Sequence, residues 1–139
     1  MSHEIAYSLP APLTSTITVP TSITTSEADL FIITDQKVLR KSQITILFDV
    51  TLGSATKVGF RYYLWDGTTW YPIPIKNLSS GELTDVPSLI DSSSYLVTGS
   101  QYRSVEEIPL TGGMGFKITG VATGATATLN TLAVYVKDN

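Results

Sequence analysis

Hydrophobic residues recur at every second position through several stretches of the chain, most clearly over Ser42–Leu52. There Ile44, Ile46, Phe48 and Val50 fall on one face, with Gln43, Thr45, Asp49 and Thr51 on the other. Side chains alternate across an extended backbone, so this pattern predicts a strand with one face in a core. Gly53-Ser54-Ala55 follows as a turn. A second strand over Lys57–Trp65 sets Val58, Phe60, Tyr62 and Leu64 inward. The run Trp65-Asp66-Gly67-Thr68 then predicts a β-hairpin. Asp-Gly tolerates positive φ at both central positions of a type I′ turn, and that turn matches strand twist. Pro72 and Pro74 alternate with Ile73 and Ile75. Their missing N–H donors suit an edge strand and not a central one.

The remaining segments read in the same way. Ser15–Val19 alternates, with Ile17 and Val19 opposite Thr16 and Thr18, until Pro20 ends it. Leu30–Ile33 is a short apolar run. Asn77–Ser94 is rich in turn formers and predicts a long excursion with one helical turn around Val86–Ile90; long loops in compact domains commonly carry function. Tyr95–Val97 and Tyr102–Leu110 supply further strand material, with Glu106 and Glu107 on opposite faces. Gly112-Gly113 marks a turn before Gly115–Val121, and small residues at Thr123–Ala125 mark another. In the final strand, Thr126–Lys137, Leu132, Val134 and Val136 point inward while Leu129 has the opposite parity. A bulge near Asn130 reconciles the two.

About eight short strands at spacings of roughly 8–15 residues, with no amphipathic helix, indicate an all-β fold. The expected architecture is a two-sheet antiparallel β-sandwich, jelly-roll-like because the connections are long. An immunoglobulin-like sandwich is the alternative, although the cysteine–tryptophan–cysteine marker is absent. Residues 1–14, with Pro10 and Pro12, read as an extended arm, and residues 15–139 as the sandwich. Ile5, Tyr7 and Leu9 give the arm apolar content that favours docking on a neighbouring subunit; the other reading is a loose terminus.

Composition narrows the function. The chain has 139 residues, enough for one domain with a core of its own. Charged residues make up only 15%, and threonine and serine fill the polar positions instead. Such a surface fits a protein that lies against other proteins, or an ordinary β domain with a mild surface. The net charge of −3 offers no basic footprint for nucleic acid; Lys37, Arg40 and Lys41 are the densest basic group. No apolar run is long enough for a membrane helix, and Met1–Pro12 lacks the pattern of a signal peptide. The absence of cysteine excludes disulfides, thiolate metal sites and a cysteine nucleophile.

The expected catalytic, metal and cofactor sets are all empty. His3 is the only imidazole, so no Ser-His-Asp triad or histidine metal cluster can form. The carboxylates, Asp49 among them, read as surface solubilisers. Thr111-Gly112-Gly113-Met114-Gly115 lacks the lysine-threonine and helix of a phosphate cradle. What remains is an aromatic cluster: Tyr62, Tyr63, Trp65, Trp70 and Tyr71. Alternation places Tyr63 and Trp65 together on the outer face, exposed near the hairpin tip. They can anchor a protein interface, stack on sugar rings, or merely pair across the hairpin. The candidate partner-binding residues are therefore Tyr63, Trp65, Trp70 and Tyr71, with Ile5, Tyr7 and Leu9 of the arm.

The segment Ser42–Pro74, SQITILFDVTLGSATKVGFRYYLWDGTTWYPIP, resembles small β-sandwich proteins of tailed-bacteriophage virions. In those, a regular strand leads through a small-residue turn to a strand ending in Asp-Gly-Thr-Thr-Trp-Tyr. The matching positions are structural: Asp66 and Gly67 turn, Trp70 and Tyr71 pack. The resemblance implies a capsid decoration, head-fibre or tail-associated subunit, assembled in the host cytoplasm and resident in the virion. It also implies a homo-oligomer, with a trimer favoured, that contacts other virion proteins such as the major capsid protein. The alternative function is a carbohydrate-binding module using the exposed aromatics.

Overall fold

A computed structural model describes residues 12–15, 17–35, 41–73, 75–76, 83–84, 88–109 and 114–138. Its strands are β1 (Thr21–Ile23), β2 (Ala28–Ile33), β3 (Lys41–Thr51), β4 (Lys57–Trp65), β5 (Trp70–Pro72), β6 (Ile75–Lys76), β7 (Leu83–Thr84), β8 (Ser88–Asp91), β9 (Tyr95–Thr98), β10 (Gln101–Pro109), β11 (Gly115–Thr123) and β12 (Ala127–Asp138). The described residues contain no helix. Sheet A has the order β1-β12-β3-β10-β9. Sheet B runs β2-β11-β4, and β5 and β8 share the far side of β4. Strands β6 and β7 form a separate two-stranded ribbon.

All pairings are antiparallel. From β1 to β4 the chain crosses between the sheets at every step, and it does so again from β10 to β12. Its first strands therefore lie beside its last, β1 on β12 and β2 on β11. This is the two-sheet antiparallel sandwich that the spacing of strands predicted, jelly-roll-like in its crossings. The two sheets hold ten strands among the described residues and not about eight. One lane of sheet B is broken into β5, against Tyr63–Trp65, and β8, against Lys57–Phe60. The edge beside β10 is β9, which covers the strand material read at Tyr95–Val97.

The core lies between the layers. Ile44, Ile46, Phe48 and Val50 of β3 are buried, as are Val58, Phe60 and Tyr62 of β4, in the parity read from the sequence. At the centre Phe48 of sheet A stacks on Phe60 of sheet B, ring centroids 4.1 Å apart and 23° from parallel. Tyr62 and Phe116 stack at 6.1 Å, and Phe31 tilts onto Phe116 at 6.4 Å. Two bulges adjust parity. The register of β12 on β3 steps from Leu129 to Thr131, so Asn130 is the extra residue and Leu129 is fully buried. That is the predicted position. On β2 the register steps over Leu30, which lets consecutive Leu30 and Phe31 both be buried.

Three local expectations are corrected. Ser15–Val19 is not a strand. The Ser15 hydroxyl accepts the N–H of Ile17 at 3.1 Å and that of Ile32 at 2.9 Å, a side-chain bond that bends the backbone and ties it to β2. Among the described residues the first strand begins only after Pro20. The hairpin is present, but its two central residues are Gly67 and Thr68 and not Asp66 and Gly67: beyond the last ladder pair, Trp65 with Trp70, the Asp66 N–H donates to the Thr69 carbonyl at 3.2 Å. Asp66 Oδ1 accepts the N–H groups of Thr68 at 2.8 Å and Thr69 at 2.6 Å, closing the loop through its side chain. Gly67 supplies the one left-handed φ there, 101°. The helical turn expected at Val86–Ile90 is replaced over Ser88–Asp91 by β8, whose Ile90 completes the core beside Val58. Val86, Pro87, Pro74 and the Gly112-Gly113 turn lie outside the described residues.

Loss of the interlayer ring contact should be the costliest kind of substitution. Phe60→Ala is expected to destabilise by about 3–5 kcal/mol in urea unfolding, and Val105→Ala, on the outer face, by under about 0.5 kcal/mol. Equal effects would place the core elsewhere.

Candidate functional site

Two outer faces remain once the core is sealed, and each is built by cross-strand register. On sheet B, β4 presents Arg61, Tyr63 and Trp65 outward. Their partners on β11 are Thr119, Lys117 and Gly115. Trp70 of β5 lies beside Trp65, and the two indoles stack at 5.9 Å and 27°. Gly115 lies directly against Trp65: a Cβ there would come within 3.2 Å of the indole and 2.5 Å of the Ile33 carbonyl oxygen. Only glycine lets the ring lie this close to the strand. The Lys117 ammonium sits 4.8 Å from the Trp70 ring centroid and 5.0 Å from that of Tyr63, and 3.4 Å from Asp29 Oδ1.

Below the rings, Glu27 bridges three strands. Its Oε2 accepts from the Tyr63 hydroxyl at 2.8 Å and the Thr119 hydroxyl at 2.7 Å, and its Oε1 pairs with Arg61 Nη1 at 2.6 Å. Burial pushes the Glu27 pKa up, but the bonds from Thr119, Tyr63 and Arg61 outweigh it and hold the carboxyl below its ordinary range. Burial and the neighbouring Glu27 carboxylate raise the pKa of the Tyr63 phenol. No single-residue signal in the sequence marked Glu27 or Lys117, because their partners come from strands distant along the chain.

Tyr63 and Trp65 share one face, as the alternation predicted, and the pairing of β5 with β4 adds Trp70 to them. They are half-buried rather than exposed, since they cover one another and Lys117. Tyr71 points the other way and is 53% exposed. Ile5, Tyr7, Leu9 and His3 lie outside the described residues. The described end of the N-terminal segment is docked on its own sandwich: Leu13 N–H donates to the Val134 carbonyl at 2.7 Å.

Sheet A has a different outer face. Asp49 is only 8% exposed, which corrects its reading as a surface solubiliser. Gln101 Nε2 donates to both carboxylate oxygens at 2.9 Å, Arg103 Nε to Oδ2 at 2.8 Å, and Asn130 Nδ2 to Oδ1 at 2.9 Å. Asn130 is the bulge residue, and the bulge turns its amide onto this face. Burial raises the Asp49 pKa; the bonds from Arg103, Asn130 and Gln101 reverse the shift and leave it lowered. Beside this network the outer face carries Leu47 and Val105, with Tyr95 of β9 beside Arg103, while Leu96 of β9 has the inward parity of Tyr102. Leu47, Tyr95, Leu96, Val97 and Val105 are exposed, five of the seven large hydrophobic residues exposed on the described surface, and all five lie on β3, β9 and β10. A shallow depression of about 280 Å³ lies between Leu47, Asp49, Arg103 and Thr131.

Among the described residues no group of three or more histidine, cysteine or carboxylate side chains could hold a metal ion. The deepest carboxylate, Asp49, has its oxygens taken up by three donors.

No protein-family model matches the chain, and neither does any curated protein sequence. Among solved structures, part of a family GH115 4-O-methyl-α-glucuronidase with specificity for decorated arabinogalactans is similar to it. The TM-score is 0.45 and the identity 11%, over 93% of this chain and 18% of that one. This chain thus spans less than a fifth of that enzyme's length, and the likeness assigns it no activity.

Removing the Asp49 carboxylate should strand three donors. Asp49→Ala is expected to cost about 1.5–3 kcal/mol in urea unfolding. The pH dependence follows from the lowered native pKa. Between the native value and the ordinary 3.8 the unfolded chain holds more protons, so this contribution is complete above about pH 4–5 and is lost as pH falls through the native pKa. The acid limb of a stability–pH profile should be flatter in Asp49→Ala than in the wild type; parallel limbs would show that Asp49 contributes nothing to it.

Proposed function

We propose that the chain is a non-enzymatic structural subunit that acts through protein–protein contact, as a virion component of the decoration or accessory type. The observation that carries the contact reading is the gathering of exposed apolar side chains on the outer face and free edge of sheet A. Contiguous exposed apolar surface costs solubility unless a partner covers it. A jelly roll held by this many cross-strand ties is stiff, and stiffness suits a subunit that transmits shape. The virion part of the reading comes from the resemblance of Ser42–Pro74, and a low-charge, threonine-rich surface accords with it.

A carbohydrate-binding module on the sheet B aromatics is the second reading. Its weakness is that the ring faces it needs are engaged: Trp65 by Gly115 and Trp70, and Trp70 and Tyr63 by Lys117. Tyr71 alone does not make a stacking platform.

Two measurements separate the readings. Particles assembled from the genome that encodes the chain should contain its peptides at stoichiometric levels by quantitative mass spectrometry; their absence would end the virion reading. Titration with a glycan panel should leave the tryptophan fluorescence unchanged. A saturable change that is lost in Trp70→Ala would instead establish sugar binding.

A further inference from the structure

Three surface features could receive a ligand or a partner. A cavity of about 280 Å³ lies under the N-terminal segment, between Leu13, Ile17, Val19, Leu30 and Leu132. A shallow pit of about 320 Å³ over Gly59 is bounded by Leu89 and Val121. Neither is shaped around a polar group that would select a ligand. The third is the outer face of sheet A, where the pattern is more informative.

Three residues in direct cross-strand register form an apolar row across that sheet: Ala133 of β12, Leu47 of β3 and Val105 of β10. Leu47 is 36% exposed and Val105 64%. The row on one side reads Thr131, Asp49, Arg103. The row on the other side reads Tyr135, Thr45, Glu107. Along β10 the outward side chains are therefore positive, apolar, negative: Arg103, Val105, Glu107. Such a sequence is complementary to itself reversed.

We infer that two copies of this chain pack these faces together about a two-fold axis that runs along the Ala133–Leu47–Val105 row. This rests on the assembly reading above and specifies its geometry. The axis turns each strand end for end, so each residue of the central row meets its own counterpart. Val105 then faces Val105 of the second copy, Leu47 faces Leu47, and Arg103 of each copy faces Glu107 of the other. Asp49 meets Thr45 and not a like charge. A two-fold contact must be self-complementary in this sense, and the charge order on β10 supplies the complementarity. The face is also prepared for burial. Asp49, the only acid in the row that contains it, is already neutralised by Arg103 and desolvated by Gln101 and Asn130. Arg103 uses Nε for that bond, and its side chain remains 59% exposed, within reach of a second carboxylate. The contact makes dimers, or even-numbered assemblies built from them, where the resemblance favoured a trimer.

The test places charge on the axis. Wild-type mass is measured by sedimentation equilibrium over a wide concentration range and should rise to that of a dimer. Val105→Glu and Val105→Lys each bring two like charges face to face. Each should weaken dimerisation at least about tenfold, while an equimolar mixture of the two should recover wild-type association. Only a position at the axis behaves so. Because the chain has no cysteine of its own, Val105→Cys gives a single thiol. A short bis-maleimide should link it to a second copy, and it should not link Leu89→Cys, which lies exposed on sheet B. This readout holds even if a charged variant folds poorly. A wild-type dimer indifferent to both charges, with no linkage in the Val105→Cys variant, overturns the interface and leaves the assembly reading standing. A monomer that is still stoichiometric in particles does the same. A monomer absent from particles removes both.

Discussion

The contact of Phe48 on Phe60 is where the two layers meet, and the rest of the sandwich is arranged so that this contact stays dry. A β-sheet with one apolar face has no stable existence alone in water; it must find a second. Here the sequence alternates so regularly through β3 and β4 that only one relative orientation of those strands seals Ile44, Ile46, Val50, Val58 and Tyr62 along with the two phenylalanines. A slip of one residue in either strand would turn the whole set to solvent. Register is therefore over-determined at the centre, and the outer faces inherit it. Positions on those faces are set by what the inner faces require.

That inheritance explains why polar chemistry appears where it does. Asp49 falls opposite Arg103 and Thr131 because its neighbours Phe48 and Val50 must point inward. The bulge at Asn130 exists to bring Leu129 into the core, and it also delivers an amide to the Asp49 carboxylate. On the other sheet, Glu27 ties the start of β2 to β11 and β4, and Lys117 is held between rings and a carboxylate. Bonds of this kind are shared across strands and are shielded from solvent by one another. They resist the shear that would let neighbouring strands slide. They also engage the polar groups that lie on these described faces.

Edges complete the picture. Glu106, in register with Ile46, lies on the inner side of β10 where that strand has no β9 beside it. β9 carries a bulge of its own at Val97, stepping from Thr98 to Leu96 against β10.

Much of this was legible from residues alone, wherever the information is local. Alternation with period two located β3, β4, β10 and β12, and the parity conflict between Leu129 and Val134 located a bulge. Proline identified the edge strand at Pro72. What failed was also local in form but not in cause. Ser15–Val19 alternates like a strand, yet the Ser15 hydroxyl takes a backbone N–H from β2, 17 residues away. Asp-Gly promised a turn centred on those two residues, and the aspartate side chain, by taking the Thr68 and Thr69 N–H groups, moved its centre to Gly67 and Thr68. A one-dimensional pattern states which faces are apolar. It does not state which strand lies next to which. The alignment of β12, β3 and β10 converts Asp49 from a surface acid into a buried hub and lines up Ala133, Leu47 and Val105; that of β11, β4 and β5 half-buries the two tryptophans. Those outcomes depend on pairings between residues as far apart in the chain as Ala133 and Leu47. Only the closed sandwich brings them together, because hydrogen-bonded register is a property of neighbouring strands and not of any one of them.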